Sequence, residues 1–259
     1  MFPTKETNSL SAKVFITLLT WTDKTTHLME LLLREGTEMR KLTYYFSFFI
    51  FLYLGNLSAD SFSNGMTAAK NSQFKKAYKI WMPLAKKGHA KAQFNIAFMF
   101  LRGMGISKNA KKARNWFLKS ATNGHVAAQF KLGYMYEFGE GIKKNYKISA
   151  KWYAKAARRG NKMAQNNLGL MYVNGMGMQK NYKKAVYWFR KACVKNYSLS
   201  QFNLGVLYSQ GLGVPLNYSL ASKWYEKAAA QGHIGAHNNL GVHYSNQKPT
   251  MKNLRKALY

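Results

Sequence analysis

Two groups of residues in this chain have types and spacings that could support chemistry. Gly175-x-Gly177 with Lys180 could cradle a phosphate, because glycine-rich loops direct backbone N–H groups at an anion. His233 and His237 are four residues apart, which would place two imidazoles on one helix face, as metal ligands are placed. However, nothing strand-like precedes the loop, and no carboxylate follows Glu226 before the chain ends.

The glycine loop is part of a repeat. It occurs four times at a fixed period, and the period is 36 residues: Gly103-Met-Gly105, Gly139-Glu-Gly141, Gly175-Met-Gly177 and Gly211-Leu-Gly213. A tryptophan recurs with the same period, at Trp116, Trp152, Trp188 and Trp224. A loop repeated at a constant interval indicates architecture, so we interpret it as a turn and Lys180 as a solvated loop residue.

The sequence predicts no catalytic residue, metal site or cofactor. His89, His125 and His233 share one repeat column, which accounts for His233 without a metal. The single cysteine, Cys193, stands where other units have alanine, and we predict a buried structural thiol. Residues 60–259 contain only four acidic side chains, so the partners of a Ser-His-Asp or Cys-His arrangement are missing. A hydrolase of cell-wall material is the least supported function.

Each 36-residue unit is predicted to form two helices. Ala164, Leu168, Met171 and Tyr172 follow one another at spacings that put them on one helix face. In the same helix Gly169 has no side chain and lets a neighbouring helix come close. The second helix is predicted to begin at a recurring Asn N-cap, at Asn109, Asn145, Asn181, Asn217 and Asn253. It is predicted to end at Gly88, Gly124, Gly160, Asn196 and Gly232.

These columns carry a family resemblance. Ala164-x-x-Asn167-Leu-Gly169-x-Met-Tyr172-x-x-Gly-x-Gly177, followed by Lys184-Ala185-x-x-Trp188-Phe-x-Lys191-Ala192, is similar to the Sel1-like repeat, a relative of the tetratricopeptide repeat (TPR). The resemblance covers nearly all of residues 71–259. It implies an all-α, right-handed superhelical solenoid of antiparallel, TPR-like helix pairs that serves as a protein-binding scaffold. The units are predicted at about 90–125, 126–161, 162–197 and 198–233, with a half unit at each end.

The sequence departs from the family pattern in two places. Its cap column has Asn where the family often has Asp. The last unit reads Gln247-Lys-Pro249 where the others have Gly-x-Gly.

Residues 39–59 differ from the repeats. Met39-Arg-Lys41 precedes an apolar stretch, residues 42–54, and the small residue Ala59 stands before Asp60. This pattern predicts a signal peptide cleaved between Ala59 and Asp60, and therefore an exported protein, periplasmic or secreted. Residues 1–38 are then an extension upstream of the true start, and residues 60–259 are the Sel1-like repeat domain. The alternative is an uncleaved membrane anchor through residues 42–58, which is at the short limit of a bilayer span.

The repeat domain is strongly basic. Residues 60–259 hold 34 Lys and Arg but only four acids, for a net charge of +30. Such a surface attracts polyanions through fields that salt screens over about 10 Å at 0.1 M. An acidic protein or an anionic envelope surface is thus a candidate partner, whereas nucleic acid is not expected because no binding motif is present. The alternative is compositional, since Lys outnumbers Arg 28 to 6, as an AT-rich coding sequence favours.

A partner is expected along the first helices, which line the concave surface of helix-pair solenoids. Opposite the core face, the sequence predicts one exposed column: Asn95, Lys131, Asn167, Asn203 and Asn239. Asn amides can donate to and accept from a peptide backbone, which gives a sequence-tolerant grip. The alternative is that Asn before Leu-Gly is a requirement of helix packing.

The resulting hypothesis is a non-enzymatic protein-interaction scaffold or adaptor of the cell envelope, with a protein or peptide partner and no small-molecule substrate. One alternative is a membrane-associated binder of anionic polymers or lipids through the basic surface. Another is a structural component of an envelope machine such as a flagellar motor. The sequence does not name the partner, because repeat scaffolds change ligand through surface columns while keeping their packing columns.

Overall fold

The computed structural model describes residues 61–245. In this part of the chain all regular structure is helical and no strand is present. Helix α1 includes residues 61–70. It is followed by α2 (Phe74–Lys86), α3 (Ala90–Arg102), α4 (Ala110–Thr122), α5 (Val126–Phe138), α6 (Tyr146–Arg158), α7 (Lys162–Asn174), α8 (Tyr182–Cys193), α9 (Ser198–Gln210), α10 (Tyr218–Ala229) and α11 (Ile234–Ser245).

The helices pack in consecutive pairs. The two helices of one unit, such as α3 with α4 or α5 with α6, make the most extensive contacts, and each pair then packs on the next. Four full pairs run from α3 to α10, with α1 and α2 before them and α11 after them. The predicted all-α solenoid of antiparallel helix pairs is confirmed.

The Gly-x-Gly loop turns the chain between the two helices of a unit. Gly175 ends α7 in the left-handed region, at a φ of 69°, and its N–H donates to the carbonyl of Met171. Gly177 also has a positive φ, 70°. A Cβ at Gly177 would lie 2.4 Å from the carbonyl carbon of Tyr146, at the start of the preceding unit's second helix. The loop is therefore packed against a neighbouring helix, and Lys180 beside it is exposed.

The second helices begin as the sequence predicts. The side-chain oxygen of Asn181 accepts the N–H of Lys184 at 2.9 Å, which satisfies one of the unpaired donors of the first turn. The N–H of Asn181 donates to the carbonyl of Tyr172 and closes the loop. The same side-chain bond is made by Asn109, Asn145 and Asn217. Asn253 lies outside the described residues.

The second helices end at positive φ, as predicted. Gly88, Gly124, Gly160 and Gly232 all have left-handed backbone conformations, and Asn196 has a φ of 51°. Side chains then tie each junction to the next, with the donor 35 residues after the acceptor. These bonds join Asn123 to Gly88 O, Arg159 to Gly124 O, Lys195 to Gly160 O and Gln231 to Asn196 Oδ1.

A glycine under an aromatic ring sets the distance between the two helices of a unit. The ring of Phe189 is fully buried over Gly169, where a Cβ would lie 2.5 Å from Phe189 Cε1. Close helix approach at this column is thus confirmed. The same arrangement pairs Gly133 with Tyr153 and Gly205 with Tyr225, and in the N-terminal half unit Gly65 with Trp81.

Candidate protein-binding face

The five residues predicted to bind a partner lie on the first helices of consecutive units. Here they are named the amide column: Asn95, Lys131, Asn167, Asn203 and Asn239, on α3, α5, α7, α9 and α11. All five side chains are half-buried, between the core positions and the solvent. Their place in the fold follows from the helix period, because each stands one residue before a buried core position, such as Leu168 after Asn167.

Asn167 is engaged within the fold. Its Nδ2 donates to the hydroxyl of Tyr153 at 3.0 Å, and its Oδ1 accepts from Asn166 at 3.3 Å. The Tyr153 hydroxyl in turn donates to Glu137 Oε2 at 2.6 Å. Burial and this bond to Glu137 raise the pKa of Tyr153 above its ordinary value, so the phenol stays protonated. At Asn167 the packing role that the sequence left open is therefore present.

Asn203 also contacts a neighbouring first helix. Its Nδ2 donates to Asn166 Oδ1 at 3.0 Å, and the buried Ser200 donates to the same oxygen at 3.0 Å. Asn166 thus joins α7 to α9. In the part of the chain that the structure describes, Asn203 Oδ1 accepts no hydrogen bond, so this amide keeps an acceptor for a ligand.

The other three members of the column have different surroundings. Asn95 Nδ2 contacts the sulfur of Met66 at 3.5 Å. Lys131 forms an ion pair with Glu140 at 2.6 Å, and its ammonium lies 4.7 Å from the ring centroid of Tyr134. Asn239 lines a 590 Å³ cavity together with Ser209 and Tyr225. The amides of Asn95 and Asn239 are the least committed to packing among these residues.

An apolar column accompanies the amide column three residues further along each helix. It consists of Phe98, Tyr134, Leu170, Val206 and Val242. None of the five is fully buried, and Val242 is 61% exposed. The ring of Tyr134 packs at a tilt against Phe138, itself 60% exposed, with the ring centroids 4.5 Å apart. The surface formed by the amide column and the apolar column is called the first-helix face below.

Sequence reasoning missed the role of the histidines. His89, His125 and His233 cap the first helices: each Nδ1 accepts an N–H of the first turn, at 3.1 to 3.3 Å. Burial, with the charge of Lys91, lowers the pKa of His89 and His125, so both favour the neutral form that can accept. The signal was available, because Asn161, a standard cap residue, occupies the same column and caps α7.

The basic charge is almost unpaired. Residues 61–245 carry 30 Lys and Arg against three Glu, and within them Lys131–Glu140 is the single ion pair. Several ammonium groups lie over aromatic rings instead. The ammonium groups of Lys119, Lys155 and Lys227 lie 4.3 to 4.7 Å from the ring centroids of Trp116, Trp152 and Trp224.

In residues 61–245 no three His, Cys, Asp or Glu side chains converge as metal ligands. Cys193 is partly buried among apolar side chains, and burial raises the pKa of its thiol to about 12, which disfavours the reactive thiolate.

The predicted signal peptide at 39–59 and its cleavage position, Ala59 and Asp60, lie outside the described residues, as do the extension at 1–38 and the possible anchor at 42–58. In the part of the chain that the structure does describe, no helix combines the length and the apolarity needed to cross a bilayer.

The comparisons with known proteins agree with this geometry. The family model "Sel1 repeat" matches residues 90–125, 126–161, 162–196, 198–233 and 234–259. No curated protein matches the sequence. Among solved structures, a Sel1 repeat protein from Oxalobacter formigenes is 34% identical, with a TM-score of 0.71, over 77% of this chain and 80% of that one.

A protective antigen of uropathogenic Escherichia coli strains, with an SLR fold, is also 34% identical, with a TM-score of 0.65. It aligns with 70% of this chain, which spans only 40% of the antigen's length. The matched repeats cover more than half of the chain. This protein therefore belongs to the Sel1 repeat family, whose members are generally protein–protein interaction scaffolds and typically non-catalytic.

Proposed function

We propose that this protein is a scaffold of the cell envelope that holds an extended peptide segment of a partner along its first-helix face. One observation carries the proposal: the amide column and the apolar column run side by side over five consecutive first helices. Apolar side chains that stay partly exposed next to amides supply both halves of peptide recognition. The amides bind backbone, and the apolar column binds side chains.

The spacing of the helices suits an extended ligand. Packed helices lie about 8–10 Å apart, and an extended chain rises about 3.3 Å per residue. Every third residue of the peptide would therefore meet a new first helix if the first helices of adjacent units keep that distance. A segment of about 12 residues would cross the whole face.

Peptides of about 12 residues, selected on the full-length protein by phage display, provide the probe. Asn203→Ala combined with Asn239→Ala should weaken binding by about tenfold or more, because two peptide-facing amides are lost. Tyr134→Ser should weaken it as well, since it removes apolar contact without touching the amides. Asn115→Ala is the matched control, because this exposed amide lies on the second helix α4.

Fluorescence anisotropy gives the affinities and circular dichroism the helicity. Unchanged affinity in both the amide pair and Tyr134→Ser would refute the proposal. Lost helicity with unchanged binding would assign the amide column to packing alone.

The envelope location is a separate part of the proposal, and it depends on the signal-like residues 39–59. Intact mass of the protein from fractionated cells tests it. A periplasmic species that begins at Asp60 is expected, whereas an uncleaved species in the membrane would support the anchor at 42–58. A soluble, full-length cytosolic species would contradict export.

Binding to anionic polymers or lipids is the second candidate, and the unpaired basic charge of residues 61–245 favours it. Such binding should fall steeply with salt, because exposed charges are screened within about 8 Å at 0.15 M. Vesicles containing an anionic lipid, titrated at low and high salt, measure this. Retention of binding at high salt would contradict an electrostatic mechanism.

A further inference from the structure

The outer face of α8 differs from the corresponding face of the other second helices. Val186, Tyr187 and Val194 stand where the other units have the residues Arg114, Asn115 and Thr122, then Ala150, Lys151 and Arg158, then Ser222, Lys223 and Ala230. Tyr187 is 53% exposed and Val194 is 85% exposed. Because the other units fold with polar residues or alanine at the two exposed positions, helix packing does not require Tyr187 and Val194 there.

These side chains border a groove. The buried Val186 lines it together with the loop residues Gly213 and Val214 of the next unit, and this open groove has a volume of 450 Å³. Three cations line the groove: Lys183, Arg190 and Lys191. Arg190 is held in place because its Nη2 donates to the hydroxyl of Tyr208 at 2.5 Å. In the described residues the other guanidinium N–H groups of Arg190 make no hydrogen bond, so they can bind an anion.

From this combination we infer that the α8 groove, defined by Val186, Tyr187, Val194 and Val214 with the three cations, docks an acidic protein segment through an apolar anchor residue. The anchor side chain fills the groove, and flanking Asp or Glu carboxylates pair with the cations. This site is on a second helix, so it does not depend on the first-helix face.

Charge and shape select this occupant. A second copy of the chain is disfavoured, because residues 61–245 offer three Glu against 30 cations, and two such surfaces repel. A bilayer is disfavoured as well, since a concave groove lined by the buried Val186 suits an inserted side chain better than a flat lipid surface. An acidic segment with one or two apolar residues matches both the groove and its rim.

The probe is a fluorescein-labelled amphipathic peptide of Leu and Glu, with Leu recurring every three or four positions. A matched peptide has Gln in place of Glu, and another has Ser in place of Leu. Full-length protein should bind the Leu-Glu peptide at least about tenfold more tightly than either matched peptide, because only that peptide supplies both anchor and charge.

The decisive variant is Tyr187→Lys combined with Val194→Arg, which installs the residues of the second unit at the same positions. It removes the apolar groove walls but adds two positive charges. Groove docking predicts at least about tenfold weaker binding, whereas attraction by charge alone predicts stronger binding. Asn115→Lys with Thr122→Arg adds the same charges to α4 and should leave groove docking nearly unchanged.

Tyr187 on α8 and Val194 directly after it are both exposed, and circular dichroism checks that the fold is kept. Equal or tighter binding by the α8 variant would overturn the inference. So would binding to vesicles of phosphatidylcholine and phosphatidylserine that is lost in the α8 variant but kept in the α4 control, since the groove would then be a membrane contact.

Discussion

The first full unit, 90–125, and the three units after it solve the same packing problem with different residues. The later units place Gly133, Gly169 and Gly205 under a ring, where a Cβ would lie 2.5 to 2.6 Å from ring atoms. The first unit has the buried Ala97 in that column, and its ring, Phe117, packs edge-on against Phe98 at 5.3 Å. The comparison indicates that the fold fixes the volume available between the two helices of a unit. The aromatic residue of the second helix and the small residue of the first helix therefore vary together.

The largest effect is expected where this pairing is broken. Gly169→Ala would drive a methyl group into the Phe189 ring, which is fully buried and has no free space to move into. Overpacking should lower the free energy of unfolding by about 3 kcal/mol, and the better helix propensity of alanine should raise it by about 1 kcal/mol, so the net loss is about 2 kcal/mol. Urea denaturation measures it.

The reverse change in the first unit is the matched control. Ala97→Gly should lose about 1.5–2 kcal/mol, about 1 from helix propensity and about 0.8 from the buried methyl group, but without a steric clash, because Phe117 packs against Phe98. A Gly169→Ala variant as stable as the wild type would show that the glycine column is not what sets the helix spacing.

The ring column divides the units in another way. The hydroxyl of Tyr153 lies 2.6 Å from Glu137 Oε2, and the hydroxyl of Tyr225 lies 3.2 Å from Ser209 Oγ. Each partner is on the first helix of the same unit, 16 residues before the tyrosine. In the units with Phe117 and Phe189, the positions of those partners are taken by Leu101 and Val173. Hydroxyl and acceptor therefore occur together or not at all, which avoids a half-buried polar group without a partner.

Tyr153→Phe should accordingly cost about 1.5 kcal/mol, because Glu137 loses its donor and Asn167 its acceptor. Adding Glu137→Leu copies the pair of the first unit and should recover most of the loss. Tyr225→Phe is the milder control, at about 0.5–1 kcal/mol, since its partner is neutral. If the double variant is no more stable than Tyr153→Phe, the two positions are not coupled.

Much of this architecture could be predicted from the sequence. The period, the Asn caps and the glycine turns are local signals, because a cap or a left-handed residue acts within one turn of its own position. The pairing of Tyr153 with Glu137, the Asn166 bridge between α7 and α9, and the α8 groove could not be predicted. They depend on which surfaces the superhelix brings together, and one repeat column does not contain that information.

The units also differ in whether the residue that caps the first helix titrates: His89 and His125 do, and Asn161 does not. Since burial lowers the pKa of His89 and His125, the folded chain takes up these protons at lower pH than the unfolded chain does. Their contribution to stability is thus complete above the ordinary His pKa of about 6.5 and is lost as pH falls through the folded pKa. A protonated Nδ1 can no longer accept the cap hydrogen bond.

His89→Asn combined with His125→Asn should flatten this dependence, because Asn161 caps the third full unit with an oxygen that does not titrate. Denaturation midpoints measured at about pH 7.5, 6.5 and 5.5 give the slope of stability against pH. The slope is the readout because the His89 ring stacks on Phe62 and the His125 ring packs at a tilt against Phe94, so the variant's absolute stability will change as well. Parallel slopes for variant and wild type would contradict the role of the imidazoles.

The smallest effect concerns the Lys and Trp columns on the second helices. Lys155 lies 4.3 Å from the Trp152 ring, whereas Lys191 lies 5.6 Å from Tyr187 in place of the equivalent Trp188. Lys155→Gln should lose about 0.5 kcal/mol of cation–π energy. It also removes one charge from a surface with few acids, which offsets part of that loss at low salt.

Lys191→Gln removes the same charge from the same column but loses only the longer contact with Tyr187, so the difference between the two variants measures how much more the close Trp152 contact contributes. In about 1 M salt the Debye length falls to about 3 Å, and the repulsion between exposed lysines is largely screened while the close ring contact persists. The gap between Lys155→Gln and Lys191→Gln should therefore remain at high salt. If it disappears, the regular lysines contribute only charge, and the shared period of Lys and Trp has no role in the stability of the solenoid.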